Sequence, residues 1–201
     1  MAITGASGCG KTTLIKIVVG LLDAEQGTVL VGGRSMQQLG KHALRTMVGT
    51  VMQDDQLFNG SILDNIRMFD NGPADGGAEE AARLAGVHED IVAMPMGYYT
   101  LIGDMGSSLS GGQKQRIVLA RALYKKPHIL LLDEATSHLD VHRERQVNAA
   151  LAQLTMTRVI IAHRPETIAS ADRVLELRAG KLHEVDRGAS AGFGMVSPFA
   201  G

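Results

Sequence analysis

The 201-residue sequence holds a single cysteine, Cys9, so no disulfide can form within the chain. That usage fits a reducing compartment. Tryptophan is absent and aromatic residues make up only 3%. With 45% hydrophobic residues, the core must therefore be aliphatic, built from Ile, Leu, Val, Ala and the ten Met. Long apolar runs are also lacking. IVVGLL (17–22) and HILLL (128–132) fall far short of the ~20 residues of a membrane-spanning helix. Lys11 and Lys16 interrupt the N-terminal apolar residues, which excludes the continuous apolar stretch of a signal peptide. Neither charge sign is in excess. A net charge of -1 argues against a nucleic-acid partner held by a broad positive field. No internal repeat is present, and the length suits one α/β domain with room for a subdomain.

What is present alternates between helical and strand periodicity. Lys11 to Leu22 has helical spacing, with Leu14, Ile15, Val18, Leu21 and Leu22 on overlapping apolar faces. Thr28 to Val31 reads as a short strand followed by a Gly32–Gly33 turn, His42 to Met47 as a short helix, and Val48 to Met52 as a strand. Ser61 caps a helix through Met68, with Asp64 in its first turn. The loop DNGPADGG (70–77) leads into helices over Ala78–Ala85, stopped by Gly86, and over His88–Ala93, ending before Pro95. Ile129 to Leu132, bounded by Pro127 and Asp133, has the continuous apolar character of a buried parallel strand. An amphipathic helix over Val141–Leu154 and a buried strand over Arg158–Ile161 follow. Arg173–Leu177 and Leu182–Val185 close the pattern around a turn at Ala179–Gly180. The Gly-, Ala- and Ser-rich stretch 187–201 is expected to be disordered. The expected fold is α/β, a mainly parallel sheet with a helical segment inserted. One domain spans 1–186, with its core at 1–53 and 126–186 and the helical segment at 54–125.

Three stretches carry chemistry. GASGCGKT (5–12) fits G-x-x-x-x-G-K-[ST] in full. Gly5, Gly8 and Gly10 let the backbone curl so that its N–H groups face phosphate oxygens. A helix starting near Lys11 aims its positive end at the same anion. Lys11 would reach the β- and γ-phosphates and Thr12 would ligate Mg²⁺, with Ser7, Cys9 and Thr13 completing the nucleotide contacts. The bland reading, a glycine-rich turn before an ordinary helix, rarely comes in this strand–loop–helix order.

HILLLDEATS (128–137) delivers Asp133 at the carboxyl end of an apolar strand, where α/β sheets bind ligands. Asp133 would hold Mg²⁺ through water, and Glu134 would polarise the attacking water. Two solvated acids at a strand end is the competing reading, and the phosphate loop weighs against it. In LSGGQKQRIVLARAL (109–123), Ser110, Gly111 and Gly112 form a second glycine-rich cradle at a helix start, with Gln113 beside it. An ordinary N-cap at Ser110 would not require the paired glycines. One nucleotide does not need two cradles from one chain. A second cradle makes sense closing over the nucleotide of another subunit.

Read together, GASGCGKTT, VMQDDQLF, LSGGQKQR, ILLLDEATSHLD and IIAHRP resemble the nucleotide-binding domain of ABC transporters, in that family's order and from Gly5 to about Val185. The resemblance implies an ATPase that uses ATP and Mg²⁺ and works as a head-to-tail homodimer. It implies that Gln53 senses Mg²⁺ and the attacking water, that His163 contacts the γ-phosphate, and that Asp140 communicates across the dimer. QDDQLFNGSILDNI (53–66) is similar to exporter domains, where it meets the transmembrane part. SHLD, AHRPETI and TLIGDMGSSLSGGQ, with Asp104 in place of the usual glutamate, are most similar to peptidase-containing bacteriocin exporters of the colicin V type. The implied setting is the cytoplasmic side of a bacterial inner membrane, beside a transmembrane exporter domain. The exported substrate would not bind this domain, and no nucleic acid would be a partner.

Two other readings remain open at this point. One is a soluble, non-transport cassette of DNA repair or translation. The other is a shortened cassette with weak or no activity. ABC domains carry antiparallel strands and an adenine-stacking aromatic residue ahead of the phosphate loop, and the sequence before Gly5 has neither. Tyr98, Tyr99 and Tyr124 lie in the helical segment. A lost stack of that kind is worth ~1–3 kcal/mol.

Overall fold

β1 (Ala2–Thr4) is three residues long, yet it lies inside the sheet. Its pairing explains how so short a segment holds. Ala2 and Ile3 sit opposite Ile160 and Ile161 on one side, and Ala2, Ile3 and Thr4 opposite Val174, Leu175 and Glu176 on the other. Ala2 and Ile3 are buried. The structure, a computed structural model, describes residues 1–70, 76–103, 109–133, 135 and 140–185. The stretch 187–201, part of the 70–77 loop, Asp104 and Glu134 lie outside the described residues.

After β1 come α1 (Lys11–Val18), β2 (Leu30–Val31), β3 (Arg34–Ser35), α2 (Met36–Met47, kinked at Gly40) and β4 (Val48–Val51). The next stretch is mostly helical: β5 (Gly60–Ser61), α3 (Ile62–Arg67), α4 (Gly77–Leu84), α5 (His88–Val92), β6 (Leu101–Ile102) and α6 (Gly111–Tyr124). The chain then returns to the sheet with β7 (Ile129–Asp133), α7 (Val141–Ala152), β8 (Thr157–Ile161), α8 (Pro165–Ala169), β9 (Val174–Arg178) and β10 (Lys181–Glu184). The sheet runs β10-β9-β1-β8-β7-β4, parallel throughout except for β10 against β9. β2 with β3, and β5 with β6, form small antiparallel pairs apart from it.

Strand alternation sends successive side chains to opposite faces. Leu131 and Ile161 meet Ile15 of α1 on one face. Leu130, Leu132 and Ile160 join Ile62, Ile66, Ile117, Val118 and Leu151 of α3, α6 and α7 in a larger cluster. Gly49 of β4 is required where α6 returns to the sheet. A Cβ there would stand 2.6 Å from the Ala122 carbonyl oxygen and 2.9 Å from the Pro127 ring. Overpacking of this kind costs ~1–3 kcal/mol. Gly49→Ala is therefore expected to lower the thermal midpoint by roughly 2–12 °C, read by circular dichroism.

Some boundaries differ from the periodicity. α1 stops at Val18, short of Leu22, because the chain turns at Gly20 and the Leu21 and Leu22 amides both donate back to the Lys16 carbonyl. Leu21 and Leu22 are consequently exposed. α2 begins at Met36, well before His42, because Ser35 and Gln38 form a reciprocal capping box. α7 ends at Ala152, before Leu154.

Candidate functional site

Strand direction gathers the candidate residues. β1, β8, β7 and β4 are parallel, and their registers align Ile3 with Ile161, Ile161 with Asp133, and Val51 with Leu132. Their carboxyl ends therefore share one edge of the sheet. From that edge β1 leads into Gly5, β8 into His163, and β4 into Gln53, while β7 ends on Asp133 itself. Glu134 follows Asp133 directly in sequence and lies outside the described residues. Asp133 is 1% exposed, whereas Gln53 and His163 are exposed.

The loop between β1 and α1 has the backbone its glycines allow. Gly5, Gly8 and Gly10 have φ of 145°, 75° and 105°, conformations that side chains with a Cβ rarely adopt. Gly5 also packs so tightly on β9 that a Cβ would lie 2.6 Å from the Leu177 carbonyl oxygen. Gly10 is the N-cap of α1, with no side-chain cap and no acidic residue in the first turn. Gly10 thus offers the first-turn N–H groups no side-chain cap, and no acid stands in that turn, as suits an anion site.

Lys11, only 7% exposed, folds into the loop. Its Nζ donates to the Gly5 and Ala6 carbonyls, each at 2.9 Å, and lies 4.0 Å from Cys9 Sγ. One ammonium thus closes the loop on itself and stands at its mouth. Thr12 is half-buried in the first turn of α1, while Ser7, Gly8 and Thr13 are exposed.

Ser110, Gly111, Gly112 and Gln113 form a separate turn at the start of α6. The Ser110 hydroxyl accepts from the Gln113 amide, and the Gln113 side chain accepts from the Ser110 amide. Among the described residues, this turn makes no hydrogen bond to the phosphate loop of its own chain. It is tied instead to the helical layer by Arg116, which is 2% exposed. Arg116 Nε donates to the Gly112 carbonyl at 3.1 Å and Nη1 to Asp90 at 2.5 Å, and Nη1 also donates to the Gly86 carbonyl. Asp90 in turn lies 3.9 Å from Arg143 of α7. Asp140 caps that helix, accepting from the Arg143 amide at 2.9 Å. That bond holds the Asp140 carboxyl below its ordinary pKa. The Ser110–Gln113 turn (the signature turn, at the start of the signature helix α6) and Asp140 are thereby linked through the Asp90 carboxylate. Arg116 closes the motif LSGGQKQR, but neither that motif nor the apolar run IVLARAL (117–123) after it named Gly86 or Asp90 as a partner.

The donor set fits Mg²⁺ accompanied by phosphate. Among the described residues there is no cluster of three or more His, Cys, Asp or Glu side chains able to cage a metal. Mg²⁺ needs no cage, since it keeps waters and takes phosphate oxygens with one or two protein ligands. The Thr12 hydroxyl and the Asp133 carboxylate are suitable hard oxygen donors.

Comparison with known proteins agrees with this geometry. The chain is 54% identical over 177 residues to the probable microcin-H47 secretion/processing ATP-binding protein MchF of Escherichia coli. It is 51% identical over 177 residues to the colicin V secretion/processing ATP-binding protein CvaB of the same organism. Each alignment takes in 88% of this chain and 25% of the relative, so the chain spans a quarter of the length of these proteins. A solved structure of a bacterial Atm1-family ABC exporter with ATP bound superposes with a TM-score of 0.84 at 38% identity, over 90% of this chain and 32% of that one. The ABC transporter family model matches residues 1–137. With the phosphate loop, the strand-end aspartate and the signature helix placed as described, the chain belongs to the ABC transporter family.

Proposed function

We propose that this chain is the ATP-hydrolysing cassette of an exporter and that its relatives' cargo class, bacteriocin-like peptides, is also its own. The observation that carries this reading is the shared sheet edge. Four parallel strands present Gly5–Thr12, His163, Asp133 and Gln53 together, while the Ser110–Gly112 turn, at the start of α6, makes no hydrogen bond to that loop among the described residues. A site divided in this way is completed by a second copy of the chain in head-to-tail orientation. We assign 1–53 and 126–186 to the nucleotide-binding core and 54–125 to the signature-bearing helical part.

In this reading the loop amides and Lys11 hold the β- and γ-phosphates of ATP. Thr12 and Asp133 hold Mg²⁺, which would supply charge neutralisation at the phosphates. Gln53 and His163 orient the attacking water and the γ-phosphate, and Glu134 polarises that water. Catalysis is then mainly positioning and electrostatic stabilisation. Ser110, Gly111, Gly112 and Gln113 of the second copy close the site, with Asp140 at the join.

The transmembrane partner has a fitting surface. Phe58 and Phe69 are 47% and 49% exposed, with ring centroids 6.2 Å apart. Fully buried Asn65 accepts from the Phe58 amide and donates to its carbonyl, and the Arg121 guanidinium lies 4.8 Å from the Phe58 ring centroid. An aromatic pair held rigidly at the surface suits docking. Among the described residues no helix is long and apolar enough to cross a membrane.

Glu134→Gln tests the assignment. Turnover is expected to fall about 10²- to 10⁴-fold, with Mg–ATP still bound and the ATP-bound dimer accumulating in sedimentation runs. Ordinary turnover by the variant would refute the role given to Glu134.

A further inference from the structure

Two carboxylates are buried among the described residues: Asp133, 1% exposed, and Glu144, 4% exposed. The mechanism uses the first and leaves the second without a role. Glu144 lies in the first turn of α7, where its amide donates to the Asp140 carbonyl at 2.9 Å. Its Oε2 accepts from Arg164 Nη1 at 2.5 Å, and its Oε1 accepts from the Thr167 hydroxyl at 2.5 Å. Thr167 is itself 4% exposed. Arg164 follows His163 directly and is the N-cap of α8. One side chain thus fastens the start of α8, and with it the His163 backbone, to the helix that Asp140 caps.

Stability alone does not call for this arrangement. Desolvating a carboxylate and a guanidinium largely offsets their attraction, and apolar side chains of similar volume commonly hold a fold as well or better. Apolar contact lacks direction. A fixed carboxylate that receives two short hydrogen bonds sets both the distance and the angle of the segment that donates them.

We infer that Glu144 is a positioning residue that holds the His163 loop and the Asp140 helix as one body. Contact of His163 with the γ-phosphate of one site is then felt at Asp140, which faces the other copy. This inference rests on the ATPase reading above. In this assignment Glu144 acts through Arg164 and Thr167.

Glu144→Gln in the full chain is the test. Mg–ATP affinity by calorimetry is expected to stay within about twofold, because the phosphate loop is untouched. The kcat for ATP hydrolysis is expected to fall about 10- to 100-fold, as misplacement of a reacting constellation does. Amide exchange over 163–168 should quicken while β1 and α1 keep their protection. Thr167→Val removes one bond without altering charge. It should shift kcat and local exchange in the same direction, and it decides the matter if Glu144→Gln does not fold. The double variant Glu144→Leu with Arg164→Met should match the wild-type thermal midpoint and still turn over slowly. Unchanged kcat and unchanged local exchange would overturn the inference. So would recovery of kcat in the apolar pair, or a general rise in exchange with affinity and kcat falling together, since each marks a purely structural contact. If the wild-type chain bound no ATP, the ATPase reading would fail on its own, and local exchange would still judge the contact.

Discussion

Lys11→Ala is expected to weaken Mg–ATP binding about 10- to 100-fold, the equivalent of one charge-assisted hydrogen bond of ~1.5–3 kcal/mol. Turnover at saturating ATP should fall further, by about 10²- to 10³-fold, because the ammonium opposes charge that moves during phosphoryl transfer. The geometry makes both losses specific. Lys11 Nζ already sits between the Gly5 and Ala6 carbonyls at 2.9 Å, so it is placed in the loop without help from a ligand. Its removal also takes the ammonium from the Gly5 carbonyl and leaves the Ala6 carbonyl only the Cys9 amide at 3.3 Å, which loosens the loop. Thermal shift provides a second readout through binding linkage. Saturating Mg–ATP should raise the midpoint of the wild-type chain clearly more than that of the variant. Calorimetry with the same pair gives the affinities directly.

Arg116→Ala should cause the largest loss of stability. The guanidinium is 2% exposed and joins the Gly112 carbonyl, the Gly86 carbonyl and the Asp90 carboxylate. Breaking a buried pair by removing one partner costs ~3–5 kcal/mol. Asp90 is 25% exposed and can regain water, so the lower end of that range, about 3 kcal/mol, applies. Set against a total stability of ~5–15 kcal/mol, this is a large share. The loss should concentrate in the helical layer, where Arg116 clamps α6 to the α4–α5 turn. Urea unfolding followed at 222 nm should show the midpoint falling, with amide protection lost first in α4 and α5. Arg116→Lys keeps the charge but not the planar fork, and should recover only part of the stability.

The sequence was informative where chemistry and local geometry coincide. The phosphate loop could be placed from GASGCGKT because glycine takes the positive φ angles found at positions 5, 8 and 10 far more readily than other residues. β7 was legible because a buried parallel strand must be apolar throughout, as Leu130 to Leu132 are. β1 was visible only as the end of a strand, because Ala2–Thr4 owes its central place to pairing with β8 and β9, more than 150 residues away in sequence. The start of α2 had a legible signal in Ser35 and Gln38, a capping box that a search for apolar periodicity passes over. For the Arg116–Asp90 and Glu144–Arg164 pairs, the motifs LSGGQKQR and IIAHRP contain the arginines but say nothing of their partners. Their members lie 26 and 20 residues apart on different elements, and only tertiary packing brings them together. The motifs therefore named residues that the strands bring to one sheet edge, and not the carboxylates that Arg116 and Arg164 meet.

The central claim is that each site is built from the phosphate loop of one copy and the signature turn of another. Mixing two inactive chains tests it most directly. Lys11→Ala spoils the phosphate loop and keeps the signature turn, while Ser110→Arg spoils the turn and keeps the loop. A head-to-tail pair of the two holds one intact composite site. ATP hydrolysis by the mixture should therefore rise well above the sum of the separate chains, and should do so in proportion to the mixed pair formed. Activity no greater than that sum, with both chains folded and pairing, would contradict the account.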